Sequence, residues 1–180
     1  MNFYFHKSIR ILIFTVLVIF LNACSTTKKI SSTSNTHTTP PKQEQNSNKI
    51  NVDGLLWYAK KQLGTPYKYG ASDPKNGGFD CSGFMYYVYT HFNIKVPRTS
   101  YDYMSYGKEV SKQQAQKGDV ILFTGSDANT KKAGHVGIIT ENKGGDISFI
   151  HASTSKGVII NKLSDSYYIK RFLKIVHILP

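Results

Sequence analysis

Acidic side chains are scarce in this sequence: 11 Asp and Glu face 23 Lys and Arg, for a formal charge of +12 over 180 residues. An excess of that sign favours polyanionic partners (nucleic acid, anionic lipid headgroups, acidic wall polymers) or serves solubility alone. Cysteine is nearly absent, with two in the chain, too few for a disulfide-stapled scaffold. No close Cys/His pair has the spacing of zinc ligands, so a metal site is not expected. The glycine-containing loops lack the pattern that cradles phosphate, and no internal repeat is visible. Nor does any apolar run reach the ~20 residues needed to cross a ~30 Å bilayer core.

The longest apolar run, Ile11 to Leu21, follows Lys7 and Arg10. A basic stretch before a short apolar core is the pattern of an export signal. Export removes nucleic acid from the partner classes. The run closes in Leu21-Asn22-Ala23-Cys24, which resembles a bacterial lipoprotein lipobox. That resemblance implies cleavage before Cys24, acyl chains on Cys24, and a membrane anchor. Ser25 in the next position resembles the choice for an outer membrane, with the protein facing the periplasm. Residues 24 to 50 are then the lipidated Cys24 and a stretch, 25 to 50, of Ser, Thr, Asn, Gln, Lys and Pro with almost nothing to bury, which reads as a disordered tether. A tether of this length has an r.m.s. span of about 28 Å.

From residue 51 the composition is that of a globular domain. Leu55, Leu56, Ala59 and Leu63 recur at helical spacing over Val52 to Leu63, with Gly64 as a stop. A loop of turn formers covers 64 to 78. Cys81 to Phe92 predicts a second helix, with Phe84, Tyr87, Val88 and His91 on one face and Asn93 as a left-handed stop. Thr99 to Tyr106 reads as a short third helix. Beyond Asp119 the pattern turns to short β-branched runs: Val120–Phe123, His135–Thr140, Ile147–Ile150, Val158–Ile160 and Phe172–Leu179. Helices followed by closely spaced strands predict an α+β domain with an antiparallel sheet over 51–180.

With Cys24 taken by lipid, Cys81 has no partner, which leaves a buried inert thiol or a reactive one. Asp80-Cys81-Ser82-Gly83 opens a predicted helix. The helix dipole lowers a thiol pKa by about one unit at best, and Asp80 opposes it, so a nucleophilic Cys81 needs a base. His135, flanked by Gly134 and Gly137, and His151, at the end of the next predicted strand, meet that need if the two strands pair as a hairpin. Both imidazoles then reach one edge of the sheet, His135 taking the thiol proton and His151 orienting it.

Six blocks carry a family resemblance: Pro66-Tyr67-Lys68-Tyr69-Gly70, Asp80-Cys81-Ser82-Gly83-Phe84, Pro97-Arg98-Thr99-Ser100, Gly118-Asp119-Val120, Gly134-His135-Val136-Gly137-Ile138 and His151-Ala152-Ser153. In this order they resemble the NlpC-type cell-wall cysteine peptidases, papain-like enzymes that cut peptidoglycan stem peptides. The resemblance covers about 55 to 180. It implies Cys81 as nucleophile, His135 as base, His151 as third residue and Tyr67 as the group that polarises the scissile carbonyl, with no cofactor. The sequence departs from the family at Gly70-Ala71, where two glycines are common, and in a slightly long Tyr67–Cys81 loop.

Other residues keep two readings. Asp80 binds a substrate amine or caps the helix, and Ser82 is a subsite hydrogen-bonder or a helix-start residue. Tyr86, Tyr87 and Tyr89 line a groove or, as is commoner, pack in the core. His91 and His177 fall on apolar faces and read as structural; His37 lies in the tether. The resemblance is strongest to single-domain lipoproteins that cut the D-alanyl–diaminopimelate cross-link. Cleavage of γ-D-glutamyl–diaminopimelate, an inactive wall-binding lipoprotein, and an acyltransferase on the same scaffold are the alternatives.

Overall fold

The computed structural model describes residues 50–180. The expected signal (1–23), the expected lipid-attachment residue Cys24 and His37 lie outside the described residues. So does the expected tether apart from Ile50, which packs against the core.

Asn51 starts the first helix, α1 (Val52–Lys60), by accepting the Gly54 N–H on its side-chain oxygen at 2.9 Å. Leu55, Leu56 and Ala59 form its buried face, as their spacing predicts. The helix ends sooner than expected. Gly64, at φ 83°, donates its N–H to the Val158 carbonyl, and this tertiary bond leaves Leu63 48% exposed.

The stretch read as plain loop holds a small antiparallel ribbon, β1 (Ser72–Asp73) and β2 (Gly78–Phe79), joined through a 3-10 turn at Pro74–Asn76. Asp80 then caps α2 (Cys81–His91), its carboxylate accepting the Gly83 N–H at 2.6 Å. Past the helix, Asn93 takes the left-handed conformation expected of it, at φ 59°. Phe84, Met85, Val88 and Tyr89 are buried. His91 keeps exposed surface, and its ring stacks on Tyr58 of α1 with centroids 3.8 Å apart, a structural role as expected. Of the three tyrosines, Tyr89 is buried and donates to the Gly118 carbonyl at 2.8 Å, while Tyr86 is 41% exposed.

Thr99–Tyr106 does not form an α-helix. A single 3-10 turn stands at Asp102–Ser105. The Thr99 hydroxyl donates to the Asp102 carboxylate at 2.6 Å and accepts the Asp102 N–H at 3.3 Å, a local alternative to helical bonding.

All five expected strands are present as β4 (Val120–Thr124), β5 (Ala133–Lys143), β6 (Asp146–Ser153), β7 (Gly157–Lys162) and β8 (Phe172–His177). A sixth, β3 (Lys108–Val110), and a one-turn helix α3 (Ser166–Ile169) are additions. The six strands form one antiparallel sheet in the order β3-β8-β4-β5-β6-β7, which makes the domain α+β as expected. Strand β4 is buried on both faces. Its alternate residues Val120 and Leu122 belong to the core under the helices, and Ile121 and Phe123 to a second cluster with Ala115, Phe149 and Tyr168. At its start, fully buried Asp119 accepts the Gln116 N–H at 2.8 Å and sits 2.6 Å from His177 Nδ1. Among the described residues no helix is long and apolar enough to cross a membrane.

Candidate active site

The site lies where α2 begins and where β5 and β6 meet as neighbours. Cys81 is the first residue of α2, 8% exposed, and its Sγ lies 3.8 Å from the Gly134 carbonyl oxygen, one residue before His135. β5 and β6 pair antiparallel with Ile138 opposite Ile150, and this register brings the two histidines together. His135 Nε2 is 2.9 Å from His151 Nδ1, the rings nearly perpendicular at 86°. The expected hairpin therefore exists, but β5 and β6 are interior strands, so the imidazoles converge at a strand end and not at a lateral edge.

Cys81, His135, His151 and Tyr67 line one cavity of about 660 Å³. Its far side is formed by the β6–β7 turn and the segment leading into α3, including Lys156, Asp165 and Tyr167. A second, shallower depression near Asp53, Lys117 and Glu141 holds none of the predicted site residues. Among the described residues no group of His, Cys, Asp and Glu is placed to hold a metal ion.

Asp80 and Ser82, read as substrate contacts or helix-start residues, are both buried and do not line the cavity. The Arg98 guanidinium forks onto Asp80, Nη1 to Oδ1 and Nη2 to Oδ2, each at 3.0 Å. Arg98 also donates to Ser82 Oγ at 3.1 Å and to the Gly70 carbonyl at 2.9 Å. With the Gly83 and Gly70 N–H groups added, every side of the Asp80 carboxylate is satisfied. A bidentate pair of this kind fixes geometry as well as charge. It ties the start of α2, the Gly70 turn and the 97–100 segment into one support beneath the thiol.

Burial pushes the Cys81 thiol above its ordinary range, and the Asp80 charge adds to this. The N–H groups of Ser82 and Val136 and the Ser100 hydroxyl pull the other way. The sequence weighs only dipole against Asp80; removal of solvent, a tertiary effect, is larger than either. Burial also holds both imidazoles neutral. His135 is lowered to about 3, with His151 contributing, and His151 to about 4, partly offset by its bond to Asn161. Tyr67 is raised by burial and by the nearby Cys81. The resting pair is thus a neutral thiol and a neutral imidazole.

These two depressed imidazoles make the fold acid-sensitive. The unfolded chain binds protons at both histidines from about pH 6.5 downward, whereas the folded chain resists until about 4 and 3. Stability is therefore full above pH 6.5 and is lost as pH falls through the window from 6.5 to about 3. Thermal melts of the domain from pH 7.5 to 4 should show a falling midpoint, and a double variant, His135→Gln with His151→Gln, should flatten that slope. A parent melting point that stays level across the window contradicts the buried neutral pair.

Residues that the sequence reading passed over complete the site. His151, with no exposed surface, places Nε2 3.0 Å from Asn161 Oδ1 and 3.1 Å from the Tyr168 hydroxyl. Arg98 and Ser100 stood inside a quoted motif without a role. Asn161 and Tyr168 carried no signal at all, since an Asn near Ser and Asp reads as turn chemistry.

Residues 64–177 match the model of the NlpC/P60 family. The chain is 37% identical over 139 residues to the probable endopeptidase NlpC of Escherichia coli K12, spanning 76% of this chain and 84% of that protein. It is 37% identical over 110 residues to a second protein of that strain, murein DD-endopeptidase MepS/murein LD-carboxypeptidase, spanning 61% of this chain and 53% of that protein. A solved NlpC/P60 family protein from Bacillus cereus ATCC 10987 superposes with a TM-score of 0.65 at 29% identity, over 73% of this chain and 41% of that one. The match thus spans about half of the second relative and less than half of the solved protein.

Proposed function

Taking as premise that the chain belongs to the NlpC/P60 family, we propose that it is a cysteine peptidase that hydrolyses stem-peptide amide bonds of peptidoglycan. One observation carries the reading: a thiol at a helix start and a hydrogen-bonded histidine pair, 2.9 Å apart, share one cavity with Tyr67. In this scheme Cys81 Sγ attacks the scissile carbonyl carbon while its proton passes to His135. The carbon–sulfur bond forms and the carbonyl oxygen becomes an oxyanion, which the Tyr67 hydroxyl and a backbone N–H stabilise. His135 then returns the proton to the leaving amine as the carbon–nitrogen bond breaks. Water, deprotonated by His135, attacks the thioester, and the departing sulfur recovers a proton. Because burial keeps the thiol protonated, His135 is required as base in the first step and as acid in the second.

The bond cut is the D-alanyl–diaminopimelate cross-link, a reading supported by the similarity to a relative named a murein DD-endopeptidase. The lipobox at Cys24 supports an exported protein held by lipid, at an outer membrane facing the periplasm. Digestion of defined muropeptides with mass-spectrometric product analysis tests the bond. Disappearance of cross-linked dimers is expected. Release of an alanyl-glutamyl dipeptide from monomers, with dimers untouched, moves the cut to γ-D-glutamyl–diaminopimelate. Amide products with an added amine, or ester products with an added alcohol, make the protein an acyltransferase, and no product of any kind makes it a binding protein.

A further inference from the structure

We infer that Asp165, acting through Asn161, fixes which nitrogen of each histidine carries its proton and so keeps one nitrogen of His135 bare; this rests on the catalytic role proposed above for His135. An asparagine amide is nearly symmetric in shape, and a half-turn exchanges its oxygen for its NH2 group, so its partners decide which end faces a neighbour. Here Asn161 Nδ2 lies 3.0 Å from Asp165 Oδ2. A carboxylate accepts only, so the NH2 end must be on that side. The Tyr168 hydroxyl, which donates to Asn161 Oδ1 at 3.3 Å, agrees with the same orientation.

The rest follows by alternation of donor and acceptor. Asn161 Oδ1 faces His151 Nε2 at 3.0 Å, and an amide oxygen cannot donate, so Nε2 of His151 holds the hydrogen. A neutral imidazole has one N–H. His151 Nδ1 is then bare and accepts from His135 Nε2 at 2.9 Å. That assigns the hydrogen of His135 to Nε2, and Nδ1 remains as its free base. Burial supports the neutral state that the alternation needs. Were the Asn161 amide reversed, every hydrogen in the row would shift across. His135 Nδ1 would then carry a proton and be unable to take one from sulfur.

Asp165 is well suited to this positioning role. It is exposed, it sits in the turn after β7, and the Lys162 N–H fastens the same carboxylate oxygen at 3.3 Å. Asn161, Asp165 and Tyr168 lie within eight residues of one another, so one local turn holds the orientation.

Two-dimensional 1H–15N spectra of histidine-labelled protein read the tautomers directly, with or without turnover. In the parent, both His135 and His151 should be Nε2–H. Asp165→Ala, which frees the amide to reverse, should give mixed tautomers at both. It should also lower kcat by about 10²-fold with KM within about twofold, short of the ~10⁴-fold lost when a triad's own orienting residue imposes the wrong tautomer. Asp165→Asn, which still offers an acceptor oxygen, should restore the parent spectrum and most of the rate. An Nδ1–H form at either histidine in the parent, or parent-like tautomers in Asp165→Ala, overturns the inference. A parent that hydrolyses nothing while showing the Nε2–H pattern leaves the inference standing and defeats the catalytic reading instead.

Discussion

A Cys81→Ala variant folds as the parent does and loses stem-peptide hydrolysis by about 10⁶-fold, the scale seen when a nucleophile is deleted from an intact site. Folding is retained for local reasons. The side chain loses only sulfur, and the Gly134 carbonyl it approaches at a long 3.8 Å then faces the cavity, while its other polar neighbours are the Ser82 and Val136 N–H groups and the Ser100 hydroxyl. The Asp80 cap, the Arg98 fork and the buried row Phe84, Met85 and Val88 do not involve the thiol. Chemically nothing else in the cavity can replace it. The serine and threonine hydroxyls that line the cavity make no hydrogen bond to either histidine, while the Cys81 thiol lies 3.8 Å from the Gly134 carbonyl, one residue before His135. Thermal melting and a muropeptide assay on the same preparation decide the matter. Turnover equal to the parent removes Cys81 from the mechanism, and a lost melting transition shows that the thiol is structural.

Gly83→Ala is expected to cost more than about 4 kcal/mol, a magnitude reserved for backbone collisions and deep core damage. A Cβ on Gly83 would fall on the Ala71 carbonyl oxygen and stand 2.9 Å from Asp80 Oδ1. Neither atom is free to retreat. The Ala71 carbonyl accepts the Asp80 N–H at 2.9 Å, and the Asp80 carboxylate is clamped by Arg98. The first turn of α2 must then move away from the ribbon, taking Cys81 with it, so activity falls along with stability. Gly64→Ala is the control: φ there is 83°, but no atom lies within 4 Å of an added Cβ, and the cost is conformational strain of about 1 kcal/mol. Urea midpoints for the two variants should differ clearly. Equal midpoints contradict the close approach at Gly83.

The reason the sequence reveals some of this and not the rest is visible residue by residue. Asp80 before Cys81 and Asn93 after the helix are local signals: Asp80 caps α2, one of the two readings open to it, and Asn93 takes the left-handed turn. The alternation Val120, Ile121, Leu122, Phe123 correctly gives a strand, but it cannot say that both faces are covered, because the second cover comes from Ala115, Leu163 and Tyr168. Leu63 departs for the mirror-image reason: periodicity assumes a helix that continues, and the chain turns at Gly64 and leaves Leu63 at the surface. The thiol and the two histidines were legible because chemistry narrows the choices. Their surroundings were not, since Arg98 reaches Asp80 across 18 positions and His151 meets Asn161 only through the register of β6 and β7.

The strand order carries a consequence for how the chain is made. Strand β8, C-terminal to the other five strands of the sheet, lies between β3 and β4, and its backbone completes the ladder along the unpaired side of β4. Until residues 172–177 leave the ribosome, the strand adjoining the one that bears His135 has hydrogen-bonding partners on one flank only. The ladder on both sides of β4, and with it the neighbourhood of the strand that carries His135, is complete only once that segment joins the sheet.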